Sequence, residues 1–304
     1  MKAAKNKIFG IGLALLIFFS YLSGECAQLR PVGLLISSDI KPFLMMVKGF
    51  EAGIDAPSIR IFFDKNGLPY SKDPLFSRFD FSAFTAIVAV GPRALTFLDK
   101  KKWRNPLFYS MVLNPMDQVS QGRKLCGVSL NIFSLDQLSM IHIILPKENR
   151  IGVIYNPLNN QRWFDFASVL SKTKGITLVP LKVAKGSDIK DIFITKPKID
   201  ALLFIPDATV ISRTLIQYII KKSYLYAIPA IGYNKFFHDS GCVMSFDIDY
   251  TAVGVQTARI VELFLEKGVC IDSGPDYKIL LNEKVVKSLG IEVAKKLPGN
   301  VKVD

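Results

Sequence analysis

The chain is short of the residues that carry most enzyme chemistry. Two histidines, two tryptophans and four cysteines stand among its 304 residues. His142 lies among apolar neighbours in a predicted helix, and His238 lies beside Asp239 in a predicted loop. Neither has the spacing of a metal site, and HExxH is absent. No GxSxG nucleophile elbow occurs. No GxGxxG follows the first strand, and there is no Walker-type phosphate loop. Cys126 or Cys242 could act as a nucleophile only beside a histidine and in an activating environment. These absences speak against an enzyme, and neither a cofactor nor a metal is expected.

Cysteine is also too sparse for a disulfide framework. Beyond residue 27 only Cys126, Cys242 and Cys270 remain, an odd number without CxxC spacing. An oxidising compartment allows one pair. Buried free thiols are the simpler expectation. Acidic residues number 26 against 39 Lys and Arg, a formal net charge of +13. Such a balance raises nucleic-acid binding. Yet the basic residues are scattered. Their densest runs, Lys100-Lys101-Lys102 with Arg104 and Lys221-Lys222, look like polar ends of helices or turns. No recognition helix, zinc finger or RNP pattern accompanies them, so a solvated basic surface and no nucleic-acid partner are expected.

What is present begins at the N-terminus. Lys2, Lys5 and Lys7 precede an apolar run over residues 8–22, and Ser23, Gly24, Glu25, Cys26 and Ala27 come after it. Positive start, short apolar stretch and small polar exit form a secretory signal over residues 1–27. The run falls short of the ~20 residues of a usual membrane span, although an uncleaved anchor stays open. So does lipidation at Cys26, where Glu25 occupies a position at which a lipobox needs a small residue. No later segment is apolar enough to span.

Apolar runs then alternate with helical segments. Strands are predicted at residues 31–38, 58–63, 83–90, 107–113 and 126–132. Helices are predicted at 41–54, with Phe43, Val47 and Phe50 on one face, at 93–98 and at 134–145. The rhythm restarts at residue 150. Further strands are predicted at 150–155, 176–183, 201–205, 229–232, 242–246 and 278–281. Further helices are predicted near 161–174 and at 187–195, 212–226, 250–267 and 283–289. Residues 62–81 are polar and predicted to be a loop. This alternation predicts an α/β protein of two similar halves, each a parallel sheet with helices on both faces.

In such sheets ligands bind beyond the carboxyl ends of the strands. The residues just after the strands are therefore the candidates. They are Ser37, Ser38 and Asp39; Gly91, Pro92 and Arg93; Asn114 and Pro115; Asn156, Asn159 and Asn160; Asp207 and Thr209; Tyr233 and Asn234; and Asp247 and Asp249. Helix starts among them favour a carboxylate. Arg93 could add a forked partner, and Asp207 could hold an ammonium, so that the set suits a zwitterion. Ser, Asn and Asp after strands are equally ordinary caps and turn formers.

The order of these motifs resembles one family, the ABC transporter substrate-binding proteins of the TrpX-like group, with a type 1 periplasmic binding protein fold. The likeness covers nearly all of the chain after residue 27. It is carried by Ser37-Ser38-Asp39, VGPRAL at 90–95, VLNP at 112–115, CGVSLNI at 126–132 and RIGVIYNP at 150–157. DALLFIPDATVIS at 200–212, IPAIGYN at 228–234 and the segment at 245–268 are its more specific parts. The resemblance implies two doubly wound lobes joined by three crossovers. Lobe 1 is expected at 28–130 plus 246–270, and lobe 2 at 131–245 plus 271–304. The family's cleft positions fall on Ser37, Ser38, Gly91, Pro92, Arg93, Asn114, Pro115 and Asp207. Two departures stand out: Gly91 replaces a common Thr, and Asn114 a common Asp. They put an aromatic amino acid in doubt, and Arg93 suits a more acidic ligand. The implied function is that of an exported, monomeric periplasmic protein. It would capture an amino-acid-like solute or small carboxylate and hand it to an ABC permease in the inner membrane. The alternative is a ligand-sensing periplasmic module that reports to a sensor protein, with the same fold and cleft.

Overall fold

A computed structural model describes residues 30–73, 80–101 and 106–304. The expected signal at 1–27 lies outside the described residues. Strand β1, Val32–Ile36, is buried along its whole length. Five apolar residues with no polar face suit a strand covered by helices on both sides. β1 pairs in parallel with β2, Ser58–Phe63, and with β4, Ala86–Val90. β5, Leu107–Val112, and β6, Leu125–Ser129, extend the sheet in parallel. β12, Asp272–Ser273, joins beside β6, and β3, Pro69–Tyr70, adds an antiparallel edge beside β2. The order is β12-β6-β5-β4-β1-β2-β3. β3 falls within the stretch predicted as a loop; its two residues are too few to show a strand pattern.

The second sheet repeats the plan. β7, Arg150–Tyr155, pairs in parallel with β8, Thr177–Lys182, and β9, Ala201–Leu203. β10, Ala230–Gly232, and β11, Met244–Ile248, continue it in parallel. β13, Tyr277–Leu281, runs antiparallel to β11, and β14, Val301–Val303, parallel to β13. The sheets are thus mixed and mostly parallel. β13 escapes the parallel rule because the chain reaches it from β12 in the other sheet and not through a βαβ crossover.

The helices are α1 Lys41–Gly53, α2 Pro92–Lys100, α3 Ser134–Ile144, α4 Pro157–Lys172, α5 Ile189–Ile192, α6 Arg213–Leu225, α7 Lys235–Asp239, α8 Tyr250–Lys267 and α9 Glu283–Leu289. The helix predicted at 187–195 is only the single turn of α5, preceded by a 3-10 turn. The chain crosses between the sheets three times. After β6 it enters α3, whose Leu138, Ile141 and Ile144 pack with Ile151 and Val153 of β7. After β11 it returns through α8, whose Val253, Ala258 and Val261 pack with Met46, Val47 and Phe50 of α1. Residues 274–276 make the third crossing, from β12 to β13. The result is the two-lobed architecture of type 1 periplasmic binding proteins.

The return through α8 is held in two ways. An ideal Cβ on Gly49 would stand 1.9 Å from the Thr251 carbonyl oxygen, and one on Gly254 would stand 2.0 Å from that of Met46. Only glycine allows α1 and α8 so close. Beyond α8, Cys270 forms a disulfide with Cys126 of β6, with Cα atoms 5.2 Å apart. The expectation of free thiols fails for this pair because β12 returns alongside β6, a neighbourhood that a sequence separation of 144 conceals. Cys242 is buried and free. Among the described residues no helix is long and apolar enough to cross a membrane.

Candidate functional site

A cavity of about 270 Å³ lies where the carboxyl ends of both sheets meet. On the first sheet its wall is made by a bulge in β5. Pairing with β6 slips between Ser110 and Val112, and Met111 takes a φ of 60°. An extra residue bends a strand and re-aims the side chains beyond it. Leu113 and Asn114 come directly after the bulged strand, and both line the cavity. Asn114 is left-handed at φ 47°, which a short polar side chain tolerates. Its N–H donates to Asn131 Oδ1 at 3.0 Å, and Asn131 Nδ2 donates to Asn114 Oδ1 at 2.5 Å. This reciprocal pair joins the ends of β5 and β6.

On the second sheet the wall rests on Asp207, which is 2% exposed. Its carboxylate accepts from Asn156 N, Asn160 Nδ2 and Thr209 N, each at 2.8 Å, and from Asn159 Nδ2 at 3.2 Å. Burial pushes this carboxyl up. The hydrogen bonds outweigh burial and hold it below the ordinary value. Asn156 caps α4 by accepting from Leu158 N, and it donates to Thr209 Oγ1. Within α4 the backbone leaves helical geometry at Asn160, φ −131°. Asn160 and Trp163 both line the cavity.

Further walls include Phe204 after β9, Tyr233 and Asn234 after β10, Tyr250 at the start of α8, and Gln137 on α3, with Leu130, Ile132, Ile205 and Ile248 as apolar surface. Burial, then the charges of Tyr250 and Asp207, push the Tyr233 hydroxyl up to about 12. Burial, then Asp247, also raises Tyr250. Both remain protonated donors at neutral pH. Among the described residues the lining holds four asparagines, Asn114, Asn131, Asn160 and Asn234, with Gln137, and no Asp, Glu, Lys, Arg or His.

The structure therefore brings Asn114, Asn160, Tyr233 and Asn234 to one cavity, with Asn159, Asp207 and Thr209 in the cluster behind Asn160. Another group gathers at the start of α2 and is absent from the lining. Ser37 Oγ accepts from Ala94 N at 2.9 Å. Gly91 has φ 88°, and a Cβ there would meet Phe43 at 2.6 Å and Ser37 Oγ at 2.8 Å. That geometry requires glycine at this position. Pro92 opens the helix, and Ser38 is exposed. Arg93 is exposed, and its guanidinium lies 4.3 Å from the Phe63 ring centroid. Asp247 accepts from Lys235 N at 3.2 Å and also stands outside the lining. His238 sits in α7, not in a loop; it is buried, with Nε2 3.0 Å from an Asp304 carboxylate oxygen.

Sequence reasoning missed Asn131, Gln137, Trp163 and Tyr250. Asn131 lies just beyond β6 and Tyr250 just beyond β11, so the strand-end rule reaches both. Trp163 and Gln137 lie inside helices, where only the kink of α4 and the crossover into α3 aim them inward.

The cavity is walled by both lobes of this fold. The family model of the ABC transporter substrate binding protein matches residues 109–300, more than half of the chain, and the chain belongs to that family. No curated protein matches it. Among solved structures it is similar to a conserved domain protein from Vibrio cholerae. The two are 19% identical over 91% of this chain and 99% of that one, with a TM-score of 0.59. It is also similar to an ABC domain in complex with L-Trp from Streptococcus pneumoniae, at 16% identity over 90% and 99% of the two chains, with a TM-score of 0.58. A ligand-free, open substrate-binding protein with adhesive properties from Clostridium difficile matches at 18% identity over 91% and 99%, with a TM-score of 0.67. At these identities the likeness shows the fold. Family membership makes the chain a small-molecule binding module and not an enzyme. It implies an ABC permease as partner and suggests an extracytoplasmic location.

Proposed function

We propose that the chain is exported to the periplasm, captures one small organic solute between its lobes as a monomer, and delivers it to an ABC permease in the inner membrane. The position of the cavity carries this reading. A solute held there touches the ends of β5 and β6 on one side and β9, β10 and α4 on the other. Contacts to both lobes favour the closed form by the difference in affinity between the two forms. The Cys126–Cys270 disulfide supports an oxidising compartment, as does the signal pattern at 1–27. Scattered lysines support a solvated surface and no nucleic-acid partner.

The motif order supports the TrpX-like group within the family. That resemblance implies an amino-acid-like solute or a small carboxylate. However, Arg93 stands over Phe63, and the oxygens of Asp207 already accept four hydrogen bonds. Their placement favours an uncharged solute. A thermal-shift screen with amino acids, carboxylates, nucleosides and sugars tests capture itself. A solute that binds only the folded state stabilises it by RT ln(1 + [L]/Kd), about 2.7 kcal/mol at a hundredfold excess over Kd. A dose-dependent rise in Tm is expected with one solute. A flat response across the panel counts against capture.

A further inference from the structure

We infer that the solute is an uncharged, planar heteroaromatic molecule with donors and acceptors along its edge, of the nucleobase or nucleoside kind. This rests on the solute-capture reading above. The first observation is charge. Among the described residues no Asp, Glu, Lys, Arg or His lines the cavity. A carboxylate or ammonium drawn into it would lose its hydration without gaining an ionic partner. Asp207, the acid behind the wall, offers no unoccupied acceptor position for an ammonium.

The second observation is the polar edge. Gln137 is 6% exposed and lines the cavity; among the described residues its carboxamide makes no hydrogen bond, and its polar atoms stay open to the cavity instead of being sealed in the wall. An amide open to the cavity and unused by the protein is placed to bond a ligand held there. A carboxamide presents one donor and one acceptor side by side, the pattern with which Asn and Gln grip the edge of adenine. Around it the other amides keep free capacity of both kinds. Asn160 uses Nδ2 on Pro206 and Asp207 and leaves Oδ1 free. Asn234 uses Oδ1 on Phe236 N and leaves Nδ2 free. These are neutral donors and acceptors in mixture, which complement a base edge and not an ionised group. The third observation is the faces. Trp163, Tyr233 and Tyr250 line the same cavity, and a flat ring gains by stacking on such side chains.

Isothermal titration of the purified protein tests this. The panel holds adenine, guanine, cytosine, uracil, their nucleosides and 5′-monophosphates, tryptophan, phenylalanine and benzoate. One base or nucleoside is expected to bind at least tenfold more tightly than its monophosphate and than either amino acid. A requirement for ribose separates the nucleoside from the free base. Gln137→Leu is expected to weaken binding at least tenfold while its Tm stays equal or rises, because the amide it removes makes no hydrogen bond within the described protein. Unchanged affinity in that variant overturns the role of the amide edge. Tighter binding of a zwitterion or carboxylate than of every neutral member overturns the ligand class and leaves solute capture standing. Absence of binding by every member overturns the class and also counts against capture.

Discussion

Asp207 looks from sequence like a counter-ion for a ligand, and its surroundings make it a keystone of the wall instead. Two backbone amides and two carboxamides donate to it. Asp207→Ala leaves all four without their acceptor in a site that is 2% exposed, and should cost about 2–4 kcal/mol in urea unfolding. Asp207→Asn keeps the shape and should cost less. The two differ from wild type in pH dependence as well. Burial raises this carboxyl, but the hydrogen bonds hold it below its ordinary 3.8. A carboxyl depressed in the folded state stabilises the fold above its unfolded value and loses that contribution as pH falls through the folded value. The urea midpoint of wild type should therefore drop between about pH 5 and about pH 3 more steeply than that of Asp207→Asn. Equal slopes would remove Asp207 from the stability of the wall.

At the scale of elements, the tie between lobes depends on how closely α8 lies on α1. Gly254→Ala places a methyl group 2.0 Å from the Met46 carbonyl oxygen, where backbone must move. Overpacking of this kind costs about 1–3 kcal/mol, and more where backbone is the obstacle. A loss of at least ~2 kcal/mol in unfolding is expected, and a neutral result would mean that the helices can part freely. Replacing Cys126 and Cys270 together by Ala removes the covalent tie between β6 and the segment after α8, leaving only the β6–β12 pairing, and should cost about 2–4 kcal/mol, measured against the oxidised protein. These same elements show what was legible in the sequence. Helix α8 was readable to its ends, because Asp249 accepts from Thr251 N and Ala252 N and Gly268 turns left-handed at φ 67°. β1, β4 and β7 were readable as unbroken apolar runs. β12, β14 and the antiparallel sense of β13 were not, since they are fixed by pairing partners far away in the chain. The site shows the same division. Strand-end residues such as Asn114 and Asn234 could be named from position alone. Trp163 and Gln137 could not, because their direction depends on the kink in α4 and on how α3 docks.

For the whole molecule, the question is what holds the lobes apart or together without a solute. Arg162 of α4 reaches across the mouth to Asp117, in the turn after β5, at 3.8 Å, with both side chains largely exposed. Exposed pairs at this distance contribute about 0–1 kcal/mol. The pair is therefore too weak to close the protein alone; under the proposed capture, contacts of the solute to both walls supply the difference. Arg162→Ala should change solute affinity by less than about fivefold, the equivalent of ~1 kcal/mol. A cavity substitution such as Gln137→Leu should exceed that. X-ray scattering at saturating solute should give a smaller radius of gyration than without it, in wild type and in Arg162→Ala alike. Identical scattering with and without solute would mean that the lobes are rigid and that capture proceeds without closure. Loss of compaction in Arg162→Ala alone would move the energetic weight from the cavity to its rim.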